Sequence, residues 1–238
     1  MRPTRYLRLS TQSLGARLHG LRTARFLHIG KTAGTALKQA LRDAPESSDY
    51  HVVVHTHGVR MIDVPRGDKF FFVVRDPVDR FVSAFQARQR QDAPRYRNPW
   101  TAAEARAFAD FSSPGELGLA LAGSGAERTA AEFAMHSIEH VRSSYWDWFS
   151  SPAAVRRREH DILWIGFVER LDEQIPDLAQ RLGLPKLELP TDDVTAHRSP
   201  RESRPDLPPE ARDALVTWYR RDYEFLDVCR DATERIGL

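Results

Sequence analysis

The chain has 238 residues, a length suited to one α/β domain, and its 41% hydrophobic and 29% charged content, with 15 prolines and 13 glycines, excludes a largely disordered, collagen-like or membrane-embedded protein. Lys plus Arg number 35 and Asp plus Glu 33, a net charge of +2, too balanced for a chain whose main work is to hold a nucleic-acid backbone, so no nucleic-acid partner is expected. The single cysteine, Cys229, excludes an internal disulfide and a cysteine-based zinc site. The positive charge is nevertheless uneven. No Asp or Glu precedes Asp43, whereas Arg2, Arg5, Arg8, Arg17, Arg22, Arg25, Lys31, Lys38 and Arg42 are all basic, which points to an anionic ligand near the N-terminal third.

Residues 1–24 are rich in Arg, Leu, Ser and Thr, a composition shared with transit peptides, but lack a signal-peptide apolar core and a small-residue cleavage site, so a basic N-terminal arm or short amphipathic helix is the first reading and a targeting segment the alternative. Residues 25–238 read as one domain. The burst Arg25-Phe26-Leu27-His28-Ile29 stops at Gly30, and Ala36, Leu37, Ala40 and Leu41 then recur at helical spacing: strand, loop, helix. Val52-Val53-Val54-His55 and Lys69-Phe70-Phe71-Phe72-Val73-Val74 are short, continuous runs typical of strands covered on both faces. Asp76-Pro77 reads as an N-cap with proline at the first helical position, followed by Val78, Phe81, Val82 and Phe85 on one face.

Gln86 to Arg97 reads as a polar surface segment, and helical patterns follow over 101–110, 114–122 and 127–149. The aromatics Tyr145, Trp146, Trp148 and Phe149 at the end of the third pattern offer rings for stacking on a sugar, but at helical spacing they suit a core better. His136 and His140 stand at i, i+4, a metal-binding spacing, but no third ligand is evident, so no metal is expected. A strand over 161–166, a helix near 170–182 closed by Gly183 and Pro185, a long loop over 184–209 and a final helix over 208–222 complete the reading. No apolar run reaches transmembrane length, so no integral membrane segment is expected.

The segment His28-Ile29-Gly30-Lys31-Thr32-Ala33-Gly34-Thr35 lies where a strand turns into a helix. Small residues let backbone N–H groups approach an anion, the helix N-terminus adds partial positive charge, and Lys31 adds a full one. A Walker A loop needs glycine five residues before Gly30, where Arg25 stands, so this is not an ordinary triphosphatase loop. A second element, Arg75-Asp76-Pro77-Val78-Asp79-Arg80-Phe81-Val82-Ser83, puts Arg75 at the end of a strand and Ser83 eight positions later in the next helix. Both can then reach an anion beside the carboxyl ends of the strands.

Together the two elements resemble the PAPS-dependent sulfotransferase family, and especially its carbohydrate-type, family 2-like branch. The first looks like the 5′-phosphosulfate loop, usually written with proline where Gly30 stands, and the second like the 3′-phosphate motif. Phe167-Val168-Glu169-Arg170-Leu171 and Tyr219-Arg220-Arg221-Asp222-Tyr223 are similar to later family segments. The resemblance implies a P-loop-like three-layer α/β/α sandwich with a central, mainly parallel sheet. It also implies PAPS as donor, PAP as product, and a hydroxylated small-molecule or carbohydrate acceptor, with an amine as the other acceptor class.

Carried onto this chain, the donor would be held by Gly30, Lys31, Thr32, Ala33, Gly34, Thr35 and Ala36 on the 5′ side and by Arg75 and Ser83 on the 3′-phosphate. Arg198, in Thr195-Ala196-His197-Arg198-Ser199-Pro200-Arg201, would close over the adenine and 3′-phosphate. Lys31 would stabilise charge on the transferring group, with no metal required. Among nine histidines, His57 is the candidate general base: it follows the second strand and stands 18 residues before Arg75, as in several carbohydrate sulfotransferases. His55 is the competitor, as a base or as a buried strand-end residue. A bacterial, cytoplasmic enzyme is the economical reading of a chain with one cysteine. The alternatives are a P-loop-type kinase, suggested by Gly30-Lys31-Thr32, and a catalytically silent PAP- or PAPS-binding protein.

Overall fold

A computed structural model of the chain describes residues 3–94, 96–191 and 207–237. Its elements in chain order are α1 (Pro3–Leu18), β1 (Arg22–Phe26), α2 (Gly34–Asp43), β2 (Tyr50–Val54), β3 (Lys69–Val74), α3 (Pro77–Gln89), α4 (Ala102–Asp110), α5 (Pro114–Ala122), α6 (Gly125–Ser137), α7 (Trp146–Phe149), α8 (Pro152–Arg157), β4 (Ile162–Phe167), α9 (Leu171–Leu182), α10 (Pro209–Trp218) and α11 (Arg220–Arg235). The described residues fall into two compact units. The first comprises 3–74, 145–191 and 225–237, and the second 75–144 and 207–224.

The first unit is the α/β part. Four parallel strands stand in the order β2-β1-β3-β4, so successive connections from β1 run to opposite sides and leave a switch point between β1 and β3. Strand alternation sends Ala24, Phe26, Phe71, Val73 and Trp164 to one face, where α2 and α9 cover them with Leu37, Ala40, Ile175, Leu178 and Leu182. On the other face Phe72 packs against Phe149 and Phe225, with ring centroids 4.5 and 6.2 Å away, and Tyr145 and Trp146 each lie 5.0 Å from Phe225. The aromatic cluster is therefore core. α1 covers this second face at β1, giving helix, sheet, helix in three layers. Helix α9 stops at Gly183, whose φ of 64° is the left-handed conformation that glycine adopts without steric cost.

α1 is held by a guanidinium. Arg25 is fully buried. It donates to Asp68 Oδ2 at 2.7 Å, Leu9 O at 2.7 Å, Ser13 Oγ at 2.8 Å and Gln12 Oε1 at 3.2 Å. Among its described side chains, α1 buries Leu9, Ser13 and Ala16.

The second unit is helical. Val78, Phe81, Phe85, Leu117, Leu121, Ala131, Met135 and Leu215 bring α3, α5, α6 and α10 round one core. Asp76 caps α3, accepting from Val78 N at 2.9 Å and Asp79 N at 3.0 Å, as the Asp-Pro start implies.

The sheet, its covering helices and most element positions match the expectation, and four segments differ. α3 runs on to Gln89 through the expected surface segment, because Arg88 is buried and bonded to Glu104 Oε1 at 2.8 Å, Glu104 Oε2 at 2.9 Å and Asp92 Oδ2 at 2.7 Å. The pattern over 127–149 breaks after Ser137: Ile138 is extended and His140 has φ 65°. His136 and His140 thus do not share a helix face. β1 begins at Arg22 and leaves the ladder after Phe26, although Leu27, His28 and Ile29 stay buried. The C-terminal segment forms two helices where one was expected, with Cys229 buried in the second.

Candidate active site

β1, β2 and β3 are parallel neighbours, so the chain leaves all three at one edge of the sheet. Residues 27–33 follow β1, His55 and His57 follow β2, and β3 ends at Val74, immediately before Arg75 in sequence.

The loop after β1 is tightly wound. Lys31 and Ala33 both take left-handed φ values, 67° and 56°, in residues that carry a Cβ, a strain that clusters at ligand clamps. The Thr32 hydroxyl, fully buried, donates to Ile29 O at 3.1 Å and closes the turn on itself. Gly34 opens α2. A Cβ there would lie 2.1 Å from His28 Cδ2 and 2.4 Å from His28 Nε2, so the His28 ring requires glycine at this position. α2 has no side-chain cap at its N-terminus, where Ala33 stands at the cap position. Backbone N–H groups and the helix dipole thus face the loop, a cradle suited to an anion.

Arg25, at the position where a triphosphatase loop carries its first glycine, points away from this role. Its guanidinium anchors α1, and it also lies 3.3 Å from His55 Nε2.

The two histidines after β2 diverge. His55 is 8% exposed and turned toward Arg25. Burial, and then the charges of Arg25, Arg8 and Arg5, lower its pKa to about 4 against a smaller opposing effect of Asp63. A neutral ring with its Nε2 lone pair accepting from Arg25 satisfies this contact. His57 is exposed and turned toward His28. Its ring lies against that of His28 with centroids 3.9 Å apart and planes tilted by 39°, and its Nδ1 lies 3.1 Å from His28 O. A carbonyl can only accept, so in this contact Nδ1 carries a proton. The Trp148 indole donates to His57 O at 3.0 Å and fixes the backbone.

His28 and Trp148 are the positioning residues that the sequence reading passed over. His28 had a signal, an imidazole inside an apolar burst one residue before the loop. Trp148 had none, because its partner lies 91 positions away.

Within the second unit Arg75 and Ser83 are half-buried, with Ser83 between one and two turns into α3. Asp76, between Arg75 and the helix, also accepts from the Tyr223 hydroxyl at 2.9 Å. Burial, then the Asp76 charge, pushes the Tyr223 phenol up, so it stays a donor. Arg198 lies outside the described residues. Among the described residues no group of three or more His, Cys, Asp or Glu side chains is placed to hold a metal ion, and no helix is long and apolar enough to cross a membrane.

Comparison with known proteins agrees with the motifs. A search of curated proteins finds no match. The model of the sulfotransferase family matches residues 25–227, which takes in the loop after β1, both histidines, the Arg75–Ser83 element and the first half of α11. With most of its length matched in this way, the chain belongs to the sulfotransferase family.

Proposed function

We propose that the chain transfers a sulfuryl group from PAPS to a hydroxyl of a carbohydrate or related small molecule, with the loop from Gly30 to Ala36 receiving the 5′-phosphosulfate. The observation that carries the reading is the loop itself: left-handed Lys31 and Ala33, a glycine forced by His28, and an uncapped helix start in a segment without acidic residues before Asp43. These residues fit an anion. Lys31 and the loop N–H groups hold the 5′ side, with Thr35, half-buried, adding a hydroxyl, while Thr32 contributes through its backbone because its hydroxyl donates to Ile29 O. Arg75 and Ser83 hold the 3′-phosphate, and Arg198 assists.

PAPS supplies the sulfuryl group as donor substrate. His57 Nε2 takes the acceptor proton as the acceptor oxygen forms its bond to sulfur, and Lys31 holds the charge left on the 5′-phosphate oxygen when its bond to sulfur breaks. Nothing in this scheme needs a metal. A cytoplasmic enzyme suits a chain with one cysteine.

Titration calorimetry with PAP, adenosine 5′-monophosphate and Mg-ATP tests the reading. PAP should bind most tightly, and Arg75→Ala should weaken PAP more than the monophosphate because a charge-assisted contact to the 3′-phosphate is lost. Equal losses would remove Arg75 from that role. Mg-dependent preference for ATP would favour a kinase.

A further inference from the structure

α1 has a second face that the fold does not use. On a helical wheel Leu9, Ser13 and Ala16, which face the sheet, lie opposite Leu7, Thr11, Leu14 and Leu18. Leu7, Leu14 and Leu18 are 65%, 59% and 79% exposed and are the three most exposed large hydrophobic residues among those described. Scattered singly, exposed leucines need no explanation; three on one ridge of one helix do. Arg8 and Arg17, both exposed, flank the ridge on its two sides, and the chain has no acidic residue before Asp43.

From this arrangement we infer that α1 is an interfacial helix that docks the protein on an anionic lipid surface. An apolar ridge bordered by arginines lies flat in the headgroup region, where leucines enter the acyl boundary and guanidinium groups reach lipid phosphates. The anchoring of α1 through Arg25, Asp68 and Ser13 keeps the ridge turned outward, because the opposite face is committed to the sheet.

The spacing 7, 11, 14, 18 would also suit a seam with a second α1, but the charges oppose it. A partner copy would set Arg8 and Arg17 against the same arginines with no carboxylate on α1 to pair them, and a helix of 16 residues offers only about two heptads. An anionic surface matches both the charge and the ridge.

Co-sedimentation of the full chain with vesicles tests the inference. Vesicles of phosphatidylcholine with about 30% phosphatidylglycerol should retain the protein, pure phosphatidylcholine should retain roughly tenfold less or lower, and about 0.5 M NaCl should release most of it. The double variant Leu14→Ser, Leu18→Ser should lose binding roughly tenfold or more, with its circular dichroism and thermal midpoint unchanged because both side chains are exposed. Arg8→Gln with Arg17→Gln should remove the preference for the anionic lipid. No retention of the wild type by anionic vesicles overturns the proposal, as does retention that the leucine variant keeps. A concentration-dependent dimer that the leucine substitutions dissolve, without vesicle binding, would give the ridge to a second copy.

Discussion

The loop after β1 and the Arg88 cluster depart from ordinary packing in opposite ways. In the helical unit the buried Arg88 guanidinium donates to both carboxylate oxygens of Glu104, to Asp92 and to the carbonyl of Asn98, while Glu104 also accepts from Glu139 N at 3.1 Å. Every strong partner there is supplied by the chain. In the α/β unit the loop carries two left-handed residues, a glycine pressed by an imidazole and a helix start without a side-chain cap. A cluster that satisfies itself makes stability. Backbone strain beside a helix start without a side-chain cap is instead characteristic of ligand clamps. His55 and His57 diverge two residues apart, one turned to Arg25 and the other to the carbonyl of His28.

The sharpest way to break this contrast is at His57. His57→Ala should keep PAP binding while turnover with a hydroxyl acceptor falls by roughly 10²–10⁴-fold, and single-turnover kinetics read the loss. Full turnover in His57→Ala with none in His55→Ala would exchange the two roles. At the self-satisfied cluster, Arg88→Ala should destabilise the fold by about 3–5 kcal/mol in urea unfolding, since it strands the Glu104 charge among buried groups. Burial acts to raise the Glu104 pKa, but hydrogen bonds from Arg88 and the backbone of Thr101 and Glu139, with the Arg88 charge, bring it down to about 2. This contribution is therefore present above a pH near the unfolded value and is lost as pH falls toward 2. An Arg88→Ala protein as stable as the parent would remove the cluster from the stability account.

The smallest effect separates the histidines by pH. The folded pKa of His55 is about 4, below the ordinary value of 6.5, so the unfolded chain binds the extra proton in that window. Stability from a neutral His55 is present above 6.5 and declines as pH falls toward 4, by at most about 3 kcal/mol for a shift of this size. Thermal unfolding across pH 7 to 4 should show a shallower decline in His55→Gln than in the parent. Parallel curves would mean that burial of this ring is not linked to stability.

What the sequence made legible follows the range of the interactions involved. β3, α5 and the Asp76 cap were readable because a continuous apolar run, a proline start and an Asp-Pro pair act over a few residues. The loop after β1 was readable for the same reason, as a strand giving way to small residues and a helix. Buried charge was not. Arg25 is neutralised by Asp68, 43 positions away, and Arg88 by Glu104, 16 positions away, so Arg25 counted toward an anionic ligand and Arg88 looked like surface until the partners were in place. The break after Ser137 was hidden because residues 145–149 continue an apolar pattern whose side chains serve the other unit's core. The positioning of His57 by His28 and Trp148 depends on rings and a carbonyl meeting across the strand ends, which no local spacing announces.

The claim that the loop after β1 handles the transferring group is tested most directly by PAP release from PAPS in a mixed pool of hydroxylated acceptors, measured for the parent and Lys31→Ala side by side. The account predicts release that depends on acceptor, and a loss of roughly two powers of ten or more in Lys31→Ala with PAP still bound. Release at the parental rate in Lys31→Ala would contradict it.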